Sequence, residues 1–148
     1  MRLFCYRAKC GDSFHLQYVG ESGKHRNVLL DMGHSKTYQE ILKNVILNII
    51  EDSEQVDALF LSHIHNDHIG GASKLITDIQ SNSTLNNAIK RWIYNPPRWY
   101  DVNQFYENKD GVPCGIASGD KVYEHILTNN PENLYDIRDG LEIGTKFK

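Results

Sequence analysis

Apolar residues recur at every second position over parts of the first 33 residues, which is the pattern of half-buried β-strands. In the stretch SFHLQYV, Phe14, Leu16 and Tyr18 occupy alternate positions. The stretches MRLFCYRA and RNVLLDMG are also of strand length, and the turn sequences CGDS and GESGK separate the three segments. The pattern predicts a meander of three antiparallel strands.

The period changes to that of a helix after Gly33. The apolar residues that then share one helical face are Ile41, Leu42, Val45, Ile46, Ile49 and Ile50. Thr37 and Glu40 have the spacing of a capping box, which predicts the start of this helix.

The unbroken apolar run VDALFLS predicts an interior strand that is covered on both faces. Further along the chain, ASKLITDIQ has helical spacing, IKRWIYN is of strand type, and SGDKVYEHIL predicts a short helix capped by Asp120. YDIRDGLEIGTKF predicts a hairpin. Strands and helices that alternate after an opening meander predict the α/β class, with helices packed on a mixed sheet.

Composition limits the classes of protein to consider. A chain of 148 residues with 40% hydrophobic and 24% charged residues predicts one globular domain over residues 1–148. The net charge of -3 provides no basic field for nucleic acid or anionic membranes. The three cysteines show no CxxC spacing, which argues against a disulfide framework and fits a reducing cytoplasm. Without a signal peptide or a long apolar run, we expect a cytoplasmic protein with no membrane partner.

The densest chemistry lies in LSHIHNDHIGG, where His63, His65, Asp67 and His68 fall within six positions. At the end of a strand, His63 and His65 leave the same face and can converge on one ion, while the next two groups can reach a neighbouring position. Imidazole and carboxylate are ligands for catalytic zinc and also for iron and manganese. Loop solvation would explain isolated histidines, but gives no reason for three of seven to gather here.

The residues HIHNDH match the HxHxDH motif of the metallo-β-lactamase fold superfamily, and the flanking LLDMG, the strand ending in Ser62, and IGGA are similar too. The similarity runs from residue 1 to about residue 79. The later IYNPP and SGDKVYEHI segments resemble a branch found in the hydrolase domain of bacterial competence DNA-uptake proteins. The resemblance implies an αββα sandwich.

The resemblance also implies a hydrolase with two divalent metal ions, zinc first and manganese or iron as alternatives. His63 and His65 would hold one ion, and Asp67 and His68 the other, with a water between the ions as the nucleophile. Asp67 would orient this water or accept its proton. Asp31 would orient a histidine ligand, although a turn aspartate at a strand end is an equal alternative.

The resemblance weakens in the second half of the chain. The superfamily completes its site with later ligands, whereas this chain has only His125 after His68. The chain therefore looks like the N-terminal half of the fold, a domain incomplete at its C-terminus. Half a sandwich would expose an apolar sheet face, which would invite a second copy or a partner chain.

Two functions follow as hypotheses. The first is a metal-dependent hydrolase of a phosphodiester, small or nucleic-acid-like, or of another ester-type bond; lactam hydrolysis is disfavoured because no export signal is seen. The second is a catalytically inactive module of the same fold that pairs with another chain. The aromatic segment YNPPRWYDVNQFYENKDG could form a substrate wall, but packing against its own domain is the favoured interpretation.

Overall fold

The first three strands form an antiparallel meander, as the alternating pattern predicts. The computed structural model describes residues 1–94, 115–129 and 134–135. In this part, β1 (Arg2–Cys5) pairs with β2 (Phe14–Val19), and β2 pairs with β3 (His25–Leu30). The turn between β2 and β3 closes at Gly23, whose φ of +76° suits glycine.

The helix after β3 begins earlier than the sequence suggests. It runs without a break through α1 (Ser35–Thr37), a π-helical segment (Tyr38–Leu42) and α2 (Lys43–Glu51). The capping-box prediction is wrong, because Thr37 is already helical, with φ −59° and ψ −44°, and its side chain caps nothing. Gly33 at φ +60° turns the chain straight from β3 into the helix, and Thr37 packs against this glycine.

The predicted interior strand is β4 (Val56–Leu61), which pairs in parallel with β3 on one side and with β5 (Trp92–Tyr94) on the other. Helix α3 (Asn66–Ser81) connects β4 to β5 through a short 3₁₀ turn (Ser83–Leu85). The order of strands across the sheet is the order along the chain, and it ends with β6 (Leu134–Tyr135), parallel to β5.

The last described helix is α4 (Ile116–Asn129). It begins before the predicted segment, so Asp120 is an exposed interior residue of the helix and the cap predicted there is wrong. The start of α4 packs closely on the motif loop, because a Cβ placed on Gly119 would lie 2.7 Å from the hydroxyl of Tyr94 and 3.2 Å from Ile64. This contact brings α4 against the end of β4.

Helices and sheet enclose one core. The fully buried side chains at its centre are those of Leu29, Leu42, Ile46, Leu59, Leu61, Ile69, Leu75, Ile76 and Tyr94. On the other face of the sheet, apolar side chains reach solvent: Leu3 is 61% exposed, Tyr18 40% and Leu30 39%. The α/β class is therefore confirmed.

Two sequence predictions fall outside the described residues. They are the hairpin in YDIRDGLEIGTKF beyond Tyr135, and the aromatic segment YNPPRWYDVNQFYENKDG beyond Tyr94. Tyr94 itself is fully buried in β5, which agrees with packing rather than with a substrate wall for that residue.

Candidate metal centre

Asp31 connects the segments that carry the motif. It follows the last residue of β3 in a left-handed conformation, with φ +51°, and its backbone N–H donates to the carbonyl of Phe60 over 2.8 Å. A non-glycine residue with this φ costs roughly 1 kcal/mol, and the contacts of the Asp31 carboxylate offset that cost. The side chain is buried, with 7% of the residue exposed.

The carboxylate of Asp31 accepts three hydrogen bonds, two from Ser62 just after β4 and one from His68 in α3. The backbone N–H of Ser62 donates to Oδ1 over 2.8 Å, and the Ser62 hydroxyl donates to Oδ2 over 2.7 Å. Nδ1 of His68 donates to the same Oδ2 over 2.9 Å. Asp31 thus joins the end of β3 to the end of β4 and to the first turn of α3.

Ser62 extends this network to a second histidine. Its Oγ lies 2.8 Å from Nδ1 of His63. A hydroxyl has one proton, and that proton is used on the Asp31 carboxylate, so the serine oxygen must accept from Nδ1–H of His63. His63 and His68 therefore both carry their proton on Nδ1, and in both neutral rings the lone pair is left on Nε2.

The two histidines of the HxH pair lie between the end of β4 and the start of α3. The intervening Ile64 is buried, with 6% exposed, so His63 and His65 are held on the outer side. Their ring centroids lie 4.7 Å apart, and those of His63 and His68 lie 4.0 Å apart. The structure brings the three predicted imidazoles together at one point of the surface.

Asp67 lies in the first turn of α3 beside these rings. Its Oδ2 is 3.9 Å from Nε2 of His68, which is too long for a hydrogen bond. Both atoms therefore keep their lone pairs while remaining neighbours. That Asp67 and His68 serve one ion together stays a prediction.

Glycines allow helix α3 to lie directly on the neighbouring loops. A Cβ on Gly71 would collide with the carbonyl oxygen of Met32, and a Cβ on Gly11 would collide with that of Asp67. The backbone N–H of Met32 donates to the carbonyl of His68 over 2.9 Å. These contacts fix the start of α3 against the loops that follow β1 and β3.

The electrostatics of the site favour neutral imidazole. Burial lowers the pKa of His63, and the neighbouring His68 and His65 lower it further. A neutral imidazole is the form that binds a metal ion. The site thus keeps its central histidine ready to act as a ligand at neutral pH.

The donor types suit a divalent ion, but the described residues do not complete a coordination shell. In residues 1–94 and 115–129, no group of three or more His, Cys, Asp or Glu side chains is arranged to hold a metal ion. That two donors of the HxH pair and two at the start of α3 each hold one ion stays a prediction. His125, the one later histidine, lies in α4 against Trp92, with 5.9 Å between ring centroids, and not at the motif.

Several residues around the site carry no local signal in the sequence. The sequence marks Ser62 only as the end of a strand, because its bridging role depends on Asp31, which is 31 positions away. A polar cavity of about 370 Å³ adjoins the start of α3; its lining residues include His34, Asn66, Ser73, Lys74, Thr77 and Ser118. The cavity is formed by side chains from separate helices, so no local pattern could indicate it.

Comparison with known proteins identifies the family. The family model of the metallo-beta-lactamase superfamily matches residues 11–140, which is most of the chain. The chain therefore belongs to the metallo-beta-lactamase superfamily, whose members are mostly metal-dependent hydrolases. A search among curated proteins finds no match. The likeness to the hydrolase domain of competence proteins stays a prediction, because the family match tests the superfamily alone.

Among the helices that the structure describes, none combines the length and the hydropathy that crossing a lipid bilayer requires.

Proposed function

We propose that this protein is a metal-dependent hydrolase whose site lies between the end of β4 and the start of α3. His63 and His65 are assigned to one divalent ion, and Asp67 and His68 to a second. Zinc is the first choice, since imidazole and carboxylate donors suit it, with manganese and iron as alternatives.

One observation carries this proposal. The Asp31 carboxylate holds His68 directly and His63 through Ser62, so Nδ1 of each ring is tied, and the two ring centroids lie 4.0 Å apart. Carboxylates that fix the tautomer and the orientation of histidine ligands are a regular feature of metal sites. A merely solvated loop has no need of such a network.

The ions would supply Lewis acidity and charge neutralisation for hydrolysis. The chain's own residues have separate tasks. Asp31 and Ser62 hold the imidazoles in one tautomer, and the Asp67 carboxylate accepts the proton of the attacking water. The packed glycines keep Asp67 in place relative to the histidine rings.

For the substrate we propose a phosphodiester or another ester-type bond. The cavity of about 370 Å³ beside Asn66 supports this choice, because hydroxyl, amide and ammonium groups line it. Hydroxyl, amide and ammonium groups can donate hydrogen bonds to the oxygen atoms of a phosphate ester, and here Lys74 also donates to Asp78.

The test of the metal assignment is elemental analysis of the purified protein. Replacing His63 and His65 by alanine should abolish bound metal. The matched control is the double variant His25→Ala and His125→Ala, which also removes two histidines and should retain it. If the first variant kept stoichiometric metal, the site assignment would be wrong.

Activity needs a separate assay, because metal binding alone does not demonstrate catalysis. Hydrolysis of bis(4-nitrophenyl) phosphate should require added metal and should be lost in Asp67→Asn. Metal-loaded protein without turnover on this ester, or on a carboxylic ester, would contradict the hydrolase proposal.

A second candidate is a catalytically inactive module that pairs with another chain or a second copy. The observation in its favour is the exposed apolar surface of the sheet, where Leu3, Tyr18 and Leu30 reach solvent. Sedimentation at several concentrations distinguishes the candidates when combined with the metal analysis. Metal-free protein that self-associates would favour the module over the hydrolase.

A further inference from the structure

A thiol and an imidazole form a second reactive pair outside the motif. Sγ of Cys10 lies 3.3 Å from Nε2 of His34. Cys10 is exposed and His34 is partly exposed, so a small molecule can reach the sulfur. A nucleophile within hydrogen-bond distance of a base is the arrangement that activates cysteines.

The backbone holds both members of this pair in position. Lys9 has φ +61°, and the N–H of Gly11 donates to the carbonyl of Ala8 over 3.2 Å, which closes a tight turn around Cys10. On the other side, the N–H of Gly33 donates to the carbonyl of Asp12 over 3.1 Å. The packing of two loops therefore brings the thiol and the imidazole together.

Cys5 shows what is special about Cys10. Both cysteines are free and exposed. In the part of the chain that the structure describes, Cys5 has no imidazole within hydrogen-bond distance, whereas Cys10 has His34. The two thiols in one molecule thus differ in the presence of a base and form an internal comparison.

We propose that Cys10 is a site of thiol–disulfide exchange with a low-molecular-weight disulfide such as oxidised glutathione, and that His34 acts as its base. His34 Nε2 takes the thiol proton as Sγ attacks one sulfur of the disulfide. The old S–S bond breaks, a new one forms to Cys10, and the departing thiolate takes the proton. Cys10 is oxidised to a mixed disulfide, and one half of the added disulfide is reduced to a thiol.

The surroundings can accommodate the attached group and connect it to the motif. His34 lines the cavity of about 370 Å³ next to Asn66 and Ser118. Gly11, the residue after Cys10, packs directly on the backbone of Asp67. A group attached to Cys10 therefore lies at the edge of the candidate metal centre, although the exchange itself does not depend on metal.

The test uses the full chain with Cys114→Ser, which leaves two cysteines. The protein is treated with oxidised glutathione at neutral pH, and the modified peptides are quantified over time by mass spectrometry. Cys10 should form the mixed disulfide roughly tenfold faster than Cys5, in proportion to the activation by the base. Equal rates for the two thiols would overturn the proposal, and this comparison needs no variant at His34.

A pair of variants isolates the role of the imidazole. His34→Gln should slow Cys10 to the rate of Cys5, while His25→Gln, at the opposite end of the sheet, should change nothing. A Cys10 rate unaffected by His34→Gln would refute the base assignment. Alkylation by iodoacetamide is measured in parallel, and fast alkylation of Cys10 without mixed-disulfide formation would overturn the exchange assignment.

Discussion

Two clusters of histidine and polar side chains lie along β3, one around Asn27 and one beyond the last residue of the strand. They differ in which ring nitrogens of the histidines have hydrogen-bond partners. In the cluster around Asn27, both ring nitrogens of His15 are engaged: Nδ1 with the hydroxyl of Tyr6 at 3.3 Å, and Nε2 with Oδ1 of Asn27 at 3.0 Å. In the cluster beyond the end of β3, His63 and His68 use only Nδ1. Within the described residues, no hydrogen-bond donor is placed on Nε2 of either ring.

The pKa does not separate these clusters, whereas hydrogen-bond geometry does. Burial lowers the pKa of His15 just as it lowers the pKa of His63. A neutral histidine with both nitrogens engaged completes a structural network. A neutral histidine with one nitrogen tied and the other free is suited to a metal ion. The difference predicts that changes in the Asn27 cluster affect stability, whereas changes in the cluster around Asp31 affect metal binding.

The largest effect on stability is expected from Asn27→Ala. Asn27 is fully buried and bonds His15, Gln17 and Glu54. Its loss would leave several buried polar groups unsatisfied, at a cost of roughly 2–3 kcal/mol. Urea denaturation measures this change, and metal affinity should stay the same. The matched control, Gln17→Ala, removes one 3.2 Å bond of the same network and should cost far less; a fall in metal affinity with Asn27→Ala would remove the distinction between the clusters.

Asp31→Asn should act mainly on metal binding. Asparagine tolerates the positive φ at this position, so the backbone is preserved. Its amide cannot replace every acceptor contact of the carboxylate, and His68 loses the partner that fixes its proton on Nδ1. Metal affinity should fall roughly 10–100-fold, as measured by competition with a chromophoric chelator. The control is Asp57→Asn in the Asn27 cluster, where the Asp57 carboxylate accepts from Arg26 and from the backbone N–H of Asn27. Equal affinities for Asp31→Asn and the unaltered protein would contradict the orienting role.

The carboxylate of Asp78 lies outside both clusters and provides a separate test of stability. Hydrogen bonds from Lys43 and then Lys74 lower the pKa of Asp78 to about 2. The depressed pKa means that the ionised form stabilises the fold. This contribution, roughly 1–2 kcal/mol after solvent screening of the lysines, is present above about pH 4 and is lost as the pH falls to about 2.

Asp78→Asn should therefore lower the urea midpoint at neutral pH, and the difference from the unaltered protein should shrink in acid. Lys36 and Glu40 provide a control pair, since their 3.5 Å contact is largely exposed and Glu40→Gln should have almost no effect. A difference that grew on acidification would show that the sign is wrong.

The smallest effect is expected from Ser62→Ala. Ser62 serves one histidine, whereas Asp31 serves two, so metal affinity should fall by about 1 kcal/mol, or several-fold. Ser62→Thr keeps the hydroxyl and should restore the affinity of the unaltered protein. If the threonine variant bound metal as weakly as the alanine variant, the hydroxyl bridge to His63 would not be the cause.

Much of the fold was predictable because periodicity reports burial directly. The meander, the interior strand VDALFLS and the helix with Leu75 and Ile76 follow from the spacing of their apolar residues. The errors lie at helix starts. Thr37 and Glu40 have the right spacing for a cap, but the positive φ of Gly33 and its packing on Thr37 begin the helix at Ser35. Its N-cap is His34, three residues before the predicted cap.

The sequence by itself determined the α/β class and the gathering of His63, His65, Asp67 and His68, because local spacing alone places these residues after one strand. Only the tertiary structure decided which nitrogen of each ring is tied. Asp31 meets Ser62 and His68 across 31 and 37 positions of chain, and Cys10 meets His34 across 24. Such contacts depend on how strands pair and how loops pack, which no short pattern records.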